Sequence, residues 1–399
     1  GGRIHNFRHF MDFPDLVMEK SVRKASLTHP ELSKSLRVTD VVLKKDVMLH
    51  FPYHSFNSVI DLLRESAMDP DVLSIKITAY RLAPASKVIN ALINAARNGK
   101  DVTVMLEVKA RFDEEANLEW KDVLEQEGIT VLYGIQNMKV HAKVCVIKKR
   151  EKNKTVQFGF VSTGNLHEKT ARVYGDHCLL TSNRNVMADI NKIFQFLEYP
   201  EKGYGPLERC NTLMVSPISM RTGIEGLINH EIKQAKAGKK AAITIKLNSL
   251  SDVSLIKKLN DAAVAGVTIN MIVRGIFCAL VDHKKFNTKP RAISIVDEYL
   301  EHARVMIFHN GGNEKVFISS ADWMVRNIDH RIEAAVPILD KSIQAELQDI
   351  IHIQLQDNVK ARVLDSDLLN NYVPSGSKKR LRSQIETYLY LQQKTNTKK

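Results

Sequence analysis

The feature that most constrains this chain is that it repeats itself, because a repeated unit must build the same local structure twice. Ile75-Lys76-Ile77 and Ile245-Lys246-Leu247 are short apolar runs, each placed after turn-forming residues, Asp69-Pro70-Asp71 in the first and Ala237-Gly238-Lys239 in the second. Both predict a buried strand. Each run is followed by apolar residues at helical spacing, a closing glycine and a second strand. These are Val88 to Arg97, Gly99 and Val102 to Val108 in one copy, and Leu255 to Ala265, Gly266 and Val267 to Val273 in the other. Alternating strand and helix predicts parallel βαβ units with right-handed crossovers.

Two later blocks also match. Val140-His141-Ala142-Lys143-Val144 corresponds to Glu301-His302-Ala303-Arg304-Val305, and Ser162-Thr163-Gly164-Asn165 to Ser319-Ser320-Ala321-Asp322. The three blocks keep their order at offsets of 170, 161 and 157 residues. The fold expected is α/β, a duplicated domain of mostly parallel mixed sheets flanked by helices, with pseudo-twofold symmetry. A Pro/Gly cluster from Tyr199 to Pro206 marks the junction. The residues from Ser58 to Ser66 are expected to form a helix that leads into the first copy. Residues 1–26 have no counterpart, so the division is 1–26, 27–206 and 207–399. The basic stretches Lys378 to Arg382 and Lys394 to Lys399 are expected to form a solvated tail.

Composition narrows the function. Lys and Arg number 58 against 45 Asp and Glu, a net charge of +13, which calls for a polyanionic partner: nucleic acid, anionic lipid, nucleotide or a phosphate chain. Two tryptophans and scattered aromatics supply no repeated stacking motif, which weighs against nucleic acid. The cysteines Cys145, Cys178, Cys210 and Cys278 form no C-x-x-C pair and are expected in the core. With no long apolar run and no apolar leader at Gly1-Gly2-Arg3-Ile4-His5, a cytoplasmic location is expected.

His141 and Lys143 are two apart on an expected strand, so an imidazole and a cation share one face; His302 and Arg304 repeat the pattern. His309 lacks a cation two residues on, and no H-x-x-H spacing points to zinc. Two such lobes facing each other would bring one histidine from each to a common phosphorus. That arrangement suits phosphoryl transfer by double displacement, in which one imidazole attacks and cations offset the anionic oxygens.

At these residues the chain resembles bacterial polyphosphate kinases, whose C-terminal half holds two phospholipase D-like domains. The motifs are Thr78-Ala79-Tyr80-Arg81, Lys109-Ala110-Arg111-Phe112-Asp113-Glu114, Lys139 to Lys143, Ser162 to Asn165 with Lys169-Thr170-Ala171-Arg172, and Phe308 to Gly312 through Ser319 to Met324. Arg3-Ile4-His5-Asn6-Phe7 resembles the end of the family's helical domain, so the chain reads as a fragment of a longer protein. The resemblance implies reversible transfer of the terminal phosphate of ATP to inorganic polyphosphate, giving ADP, through a phosphohistidine at His141. It further implies His302 as the second histidine, close to the nucleotide phosphates, and Tyr174 and Arg274 as ATP contacts; Lys143 and Arg304, read from the repeated pattern, are the expected flanking cations, and Asn165 and Arg331 are expected phosphate contacts. Arg81 and Arg111 match a magnesium-phosphate site. A guanidinium has no lone pair for a metal, so they would meet Mg2+, carried in with ATP, only through phosphate oxygens. Asp322, an anion, is expected to orient a histidine or an arginine. A homo-oligomer of the intact protein and a peripheral association with the inner membrane are also implied, and no nucleic acid.

Two other readings stay open: a phospholipase D-type phosphodiesterase, and a non-catalytic polyanion-binding module. Against the first stand Arg304 in place of a second lysine and the absence of acid at Lys148 and Lys149.

Overall fold

A computed structural model describes residues 24–397 except 80–84, 108–113, 136–137, 368 and 377–378. The first copy carries strands β1 (Val47–Phe51), β2 (Val72–Ala79), β3 (Asp101–Leu106), β4 (Thr130–Tyr133), β5 (Lys139–Val140), β6 (Lys143–Glu151), β7 (Lys154–Ser162) and β8 (Tyr174–Thr181). The second carries β9 (Met214–Val215), β10 (Ala242–Leu247), β11 (Thr268–Val273), β12 (Arg291–Ile295), β13 (Leu300–Glu301), β14 (Arg304–Phe308), β15 (Lys315–Ser319), β16 (Arg331–Ile332), β17 (Ala334–Pro337) and β18 (Ala361–Val363).

The first sheet runs β1-β8-β7-β6-β2-β3-β4 and the second β9-β17-β15-β14-β10-β11-β12-β18, the same order strand for strand with β18 added at one edge. This is the expected α/β duplication, with one correction. Only β2-β3-β4 and β10-β11-β12 are parallel, and the other neighbours within the two main sheets are antiparallel, apart from the short β13 beside β8. The reason is connection length. Parallel neighbours need a long crossover, supplied by helices such as Lys87–Arg97 and Val253–Ala265, whereas β6 turns into β7 across only Lys152 and Asn153.

The sheets bury both faces. Along β6, Cys145 and Ile147 point into an outer core shared with helices Asn57–Met68 and Lys87–Arg97. Val144 and Val146 point the other way, into a core that also holds Val305, Val316 and Ile318 of the second sheet. Helices Arg184–Glu198 and Lys341–Leu355 fill this middle layer through Ile190, Phe194, Leu347 and Ile351. A third core covers the far face of the second sheet beneath Met220–Lys236 and Val253–Ala265. The two middle helices start alike. Asn183 accepts from the amides of Asn185 and Val186, and Asp340 from those of Ser342 and Ile343.

Two further expectations change. The C-terminal stretch is a docked helix, Ser383–Thr397, rather than a solvated tail: Leu391 is buried, Arg382 pairs with Asp297 at 2.6 Å, and Lys394 with Glu346 at 2.8 Å. Lys379 and Arg380 are exposed and precede the helix, and Lys378, Lys398 and Lys399 lie outside the described residues. Cys145, Cys178 and Cys210 are buried as expected, but Cys278, beyond the end of β11, is exposed.

Gly159 on β7 tests the tightness of the first sheet. A Cβ there would stand 2.0 Å from the carbonyl oxygen of Cys145 on β6. Gly159→Ala is expected to destabilise the chain by about 1–3 kcal/mol, read as a lower urea midpoint at unchanged slope.

Candidate active site

Each copy lends two residues to the other. β5 does not join its own sheet but lies parallel to β16, pairing Lys139 with Arg331 and Val140 with Ile332. β13 lies parallel to the start of β8, pairing Leu300 with Tyr174 and Glu301 with Gly175. The chain then breaks from strand geometry for two residues before entering its own sheet. His141 and Ala142 both donate to the Ile332 carbonyl, at 2.8 and 2.9 Å, and His302 and Ala303 both donate to that of Gly175, at 3.1 and 2.7 Å. The histidines therefore sit in the gap between a short strand and a long one, not on the continuous strand expected. Lys143 and Arg304 are the first residues of β6 and β14.

The residue after each shared carbonyl is an acid. Glu333 Oε2 lies 2.9 Å from His141 Nδ1, and both Asp176 carboxylate oxygens lie 2.9 Å from His302 Nδ1. Each histidine is thus gripped by a carboxylate from the opposite copy. Thr163 donates to Asp176 at 2.6 Å, and Ser320, its equivalent, donates to Glu333, which also accepts from Asn327 at 2.7 Å. Burial raises the pKa of both acids, but the partner histidine and these hydrogen bonds outweigh it and hold both below the usual range. Ionised carboxylates only accept, so Nδ1 of each histidine carries the proton and Nε2 keeps its lone pair. Gly164 makes room for Asp176: a Cβ there would stand 2.2 Å from Oδ2.

The cations differ between copies. Arg304 is clamped by Asp322, at 3.2 Å from Nε and 2.9 Å from Nη2, and its Nη1 donates to the His302 carbonyl at 2.8 Å. Asp322 also accepts from the amides of Asn248 and Ser249, and Arg304 and these bonds outweigh burial to bring its pKa down to about 2. Lys143 is as deeply buried, and the turn position equivalent to Asp322 is the neutral Asn165. Desolvation, only partly offset by Glu333, lowers Lys143 to about 7. Burial likewise lowers His141 to about 4 against the pull of Glu333, and lowers His302.

The charges form one site. Arg304 bears on His141, Lys143 on His302, and Arg331 on Lys143. The Tyr174 ring lies 5.2 Å from that of His302. Arg274, at the end of β11, feels Arg304, Tyr174 and Asp322 and donates to Asn248. Its Nε and the Oδ1 of Asn165 are buried without a hydrogen-bond partner among the described residues. Both histidine side chains keep slight exposure, 12% for His141 and 14% for His302, so a substrate can reach them. Arg81 and Arg111 lie outside the described residues. Among the described residues no group of three or more His, Cys, Asp or Glu could hold a metal ion.

Asp176 and Glu333 do not stand out in the sequence, although a signal for them exists. Each lies 14 residues after the first serine of its matched block, Ser162 or Ser319, at the same 157-residue offset.

Two family models match, polyphosphate kinase C-terminal domain 1 over residues 37–203 and C-terminal domain 2 over residues 213–384. The chain belongs to the polyphosphate kinase family. It is 45% identical over 394 residues to the polyphosphate kinase of Vibrio cholerae, covering 98% of this chain and 56% of that protein. To that of Escherichia coli K12 it is 43% identical over 395 residues, covering 98% and 57%. The chain thus spans little more than half the length of these relatives. The crystal structure of Porphyromonas gingivalis polyphosphate kinase superposes with a TM-score of 0.88 at 39% identity, over 94% of this chain and 57% of that one. Phosphatidylserine synthase from Haemophilus influenzae shares the fold, with a TM-score of 0.57 at 12% identity over 89% and 95% of the two chains. No helix among the described residues is long and apolar enough to cross a membrane.

The burial of His141 in this polyphosphate kinase family site makes a pH prediction. Its imidazole should titrate near pH 4, against about 6.5 in the unfolded chain, as read from its ring 15N shifts. Because the folded form binds the proton less readily, this histidine's contribution to stability should fall as pH drops from 6.5 towards 4 and level off below. Urea midpoints across that range, compared between the parent chain and His141→Gln, isolate the contribution.

Proposed function

We propose that this chain is the catalytic part of a polyphosphate kinase that moves the terminal phosphoryl group of ATP to inorganic polyphosphate, reversibly, through His141. In the first step the Nε2 lone pair of His141 forms a bond to the γ-phosphorus as the bond to the departing ADP oxygen breaks. In the second, a terminal oxygen of the polyphosphate chain takes the phosphoryl group and the N–P bond breaks. Glu333 holds the Nδ1 proton throughout and so stabilises the ring as it gains positive charge. Lys143, Arg304, Arg274 and Arg331 would offset the anionic oxygens that otherwise repel a nucleophile. His302 would stand by the leaving oxygen, its own Nδ1 proton held by Asp176. Mg2+ would arrive on the nucleotide phosphates, with Arg81 and Arg111 gripping the same phosphates. The described residues offer no cage for the ion, and none of these roles asks them to bind it directly.

The observation that carries this reading is the pair of histidines, each with Nδ1 held at 2.9 Å by a buried carboxylate of the other copy, so that Nε2 keeps the lone pair a nucleophile needs, with Lys143 and Arg304 acting on both rings.

Incubation with γ-labelled ATP, on this chain and on one extended to the full length of its relatives, should give acid-labile label that His141→Gln abolishes. Glu333→Gln should slow labelling by about two to four orders of magnitude, since the amide does not stabilise the charged ring. Diester hydrolysis without label would establish the phosphodiesterase reading instead, and salt-sensitive polyanion binding with neither activity the binding module.

A further inference from the structure

His302 enters the site from β13, a strand two residues long, and a strand that short cannot hold itself in place. Its inner edge pairs with β8: the amides of Leu300 and His302 donate to the carbonyls of Val173 and Gly175, at 2.8 and 3.1 Å. Its outer edge has no strand beside it among the described residues. One side chain takes that place, the buried Gln384 near the start of the docked helix Ser383–Thr397. Its carbonyl oxygen accepts from the Tyr299 amide at 2.9 Å, and its nitrogen donates to the Tyr299 carbonyl at 2.8 Å and to Glu301 Oε1 at 2.8 Å. This side-chain amide makes the two bonds that a neighbouring strand would make, and a third to the residue before His302.

Glu301 carries this grip to the histidine. It is buried, and its Oε2 pairs with Lys246 and accepts from Gln354 at 3.1 Å. The same oxygen lies against Gly175, 3.4 Å from where a Cβ there would stand. Gly175 is the residue whose carbonyl holds His302 and Ala303, and Asp176, next along, holds the ring. The start of the helix is fixed in turn, by the Ser383 amide on Asp357 at 2.7 Å and by Arg382 on Asp297, two residues before Tyr299, at 2.6 Å. The first copy is built otherwise. There the register pair behind His141 is Val140 with Ile332, both in the middle core, and the Val140 amide donates to Glu107 of the same copy at 3.2 Å. The two seats are made of different contacts, and Gln384 belongs to that of His302.

We propose that Gln384 is a positioning residue for His302: its side-chain amide stands in for the missing strand beside β13 and, with Glu301, sets where that imidazole meets the Asp176 carboxylate and the reacting phosphoryl group. The effect on rate rests on the phosphoryl-transfer reading; the placement of the ring does not. With His302 beside the leaving oxygen, a displacement of about 1 Å is enough to cost about a hundredfold in rate. The C-terminal helix then acts on the chemistry through the strand it supports.

The test uses the whole chain, 15N-labelled at histidine, and follows the two Nδ1–H protons bound to buried carboxylates, assigned by their loss in His302→Gln and His141→Gln. Gln384→Met keeps the length of the side chain and removes its amide. It should move the His302 proton upfield, as the bond to Asp176 weakens, and leave the His141 proton in place. Gln384→Asn, which keeps the amide but withdraws it by one methylene, should act in the same direction. Tyr390→Phe removes another contact of the same helix, the hydroxyl on Asp349 at 2.6 Å, and should move neither proton. Labelling of His141 by γ-labelled ATP should slow in Gln384→Met by about ten- to a hundredfold, more in kcat than in KM. The inference is overturned if neither Gln384 variant moves the His302 proton, if the His141 proton moves as far, if Tyr390→Phe has the same effect, or if Gln384→Met is labelled at the parent's rate. A parent chain that ATP does not label sinks the phosphoryl-transfer reading, and the two ring protons still decide this one.

Discussion

The structure turns on two hydrogen bonds that run between the copies, His141 to Glu333 and His302 to Asp176. Glu333 is 0% exposed and Asp176 4%, and carboxylates so buried can stay ionised only if partners meet them. Removing one side of such a pair costs about 3–5 kcal/mol, because the other charge is left stranded. The histidine partner in each case belongs to the other copy, while donors from the acid's own copy, Thr163 for Asp176 and Ser320 and Asn327 for Glu333, complete its shell. The same exchange extends through the backbone, where two-residue strands lent across the boundary fix both histidines through a single carbonyl each. The fold, the shared middle core and the orientation of the rings are therefore one problem with one solution.

Much of this is legible in the amino-acid order alone. The matched blocks place β2, β10 and their helices, and the histidine-cation pairs fall where the copies meet. What escapes does so for physical reasons. β5, β13 and β16 are two residues long, too short for any periodicity, and the contacts they make join residues such as His141 and Glu333 that lie 192 apart. The paired acids also differ in length, Asp in one copy and Glu in the other. That disguises their equivalence until the shared hydroxyl donors, Thr163 and Ser320, are seen bonded to them.

The docked C-terminal helix escapes for a different reason. Its inward side is largely polar: the Ser383 amide donates to Asp357 at 2.7 Å, and Gln384 to Glu301 at 2.8 Å, with Thr387 buried beside them. A helix that docks through hydrogen bonds reads, in sequence, like one that faces water. Its contact with Glu301 also ties this helix to the site, because Glu301 precedes His302 and pairs with the buried Lys246.

Duplication gives two histidines with the same orienting carboxylate, so any division of labour between them must arise from what the copies no longer share. Two of the differences are Lys143 against Arg304 and Asn165 against Asp322. An arginine with its own carboxylate is a neutral unit that can aim hydrogen bonds at an oxygen without altering the local charge by much. Burial lowers the Lys143 pKa to about 7 even though Glu333 and Asp176 pull it upward, so desolvation destabilises its ammonium. An approaching phosphoryl group would raise that pKa and relieve the desolvation cost, so the burial of Lys143 is worth most when substrate is bound. Two matched lobes would thereby yield one side poised for a nucleophile and another poised for a leaving group.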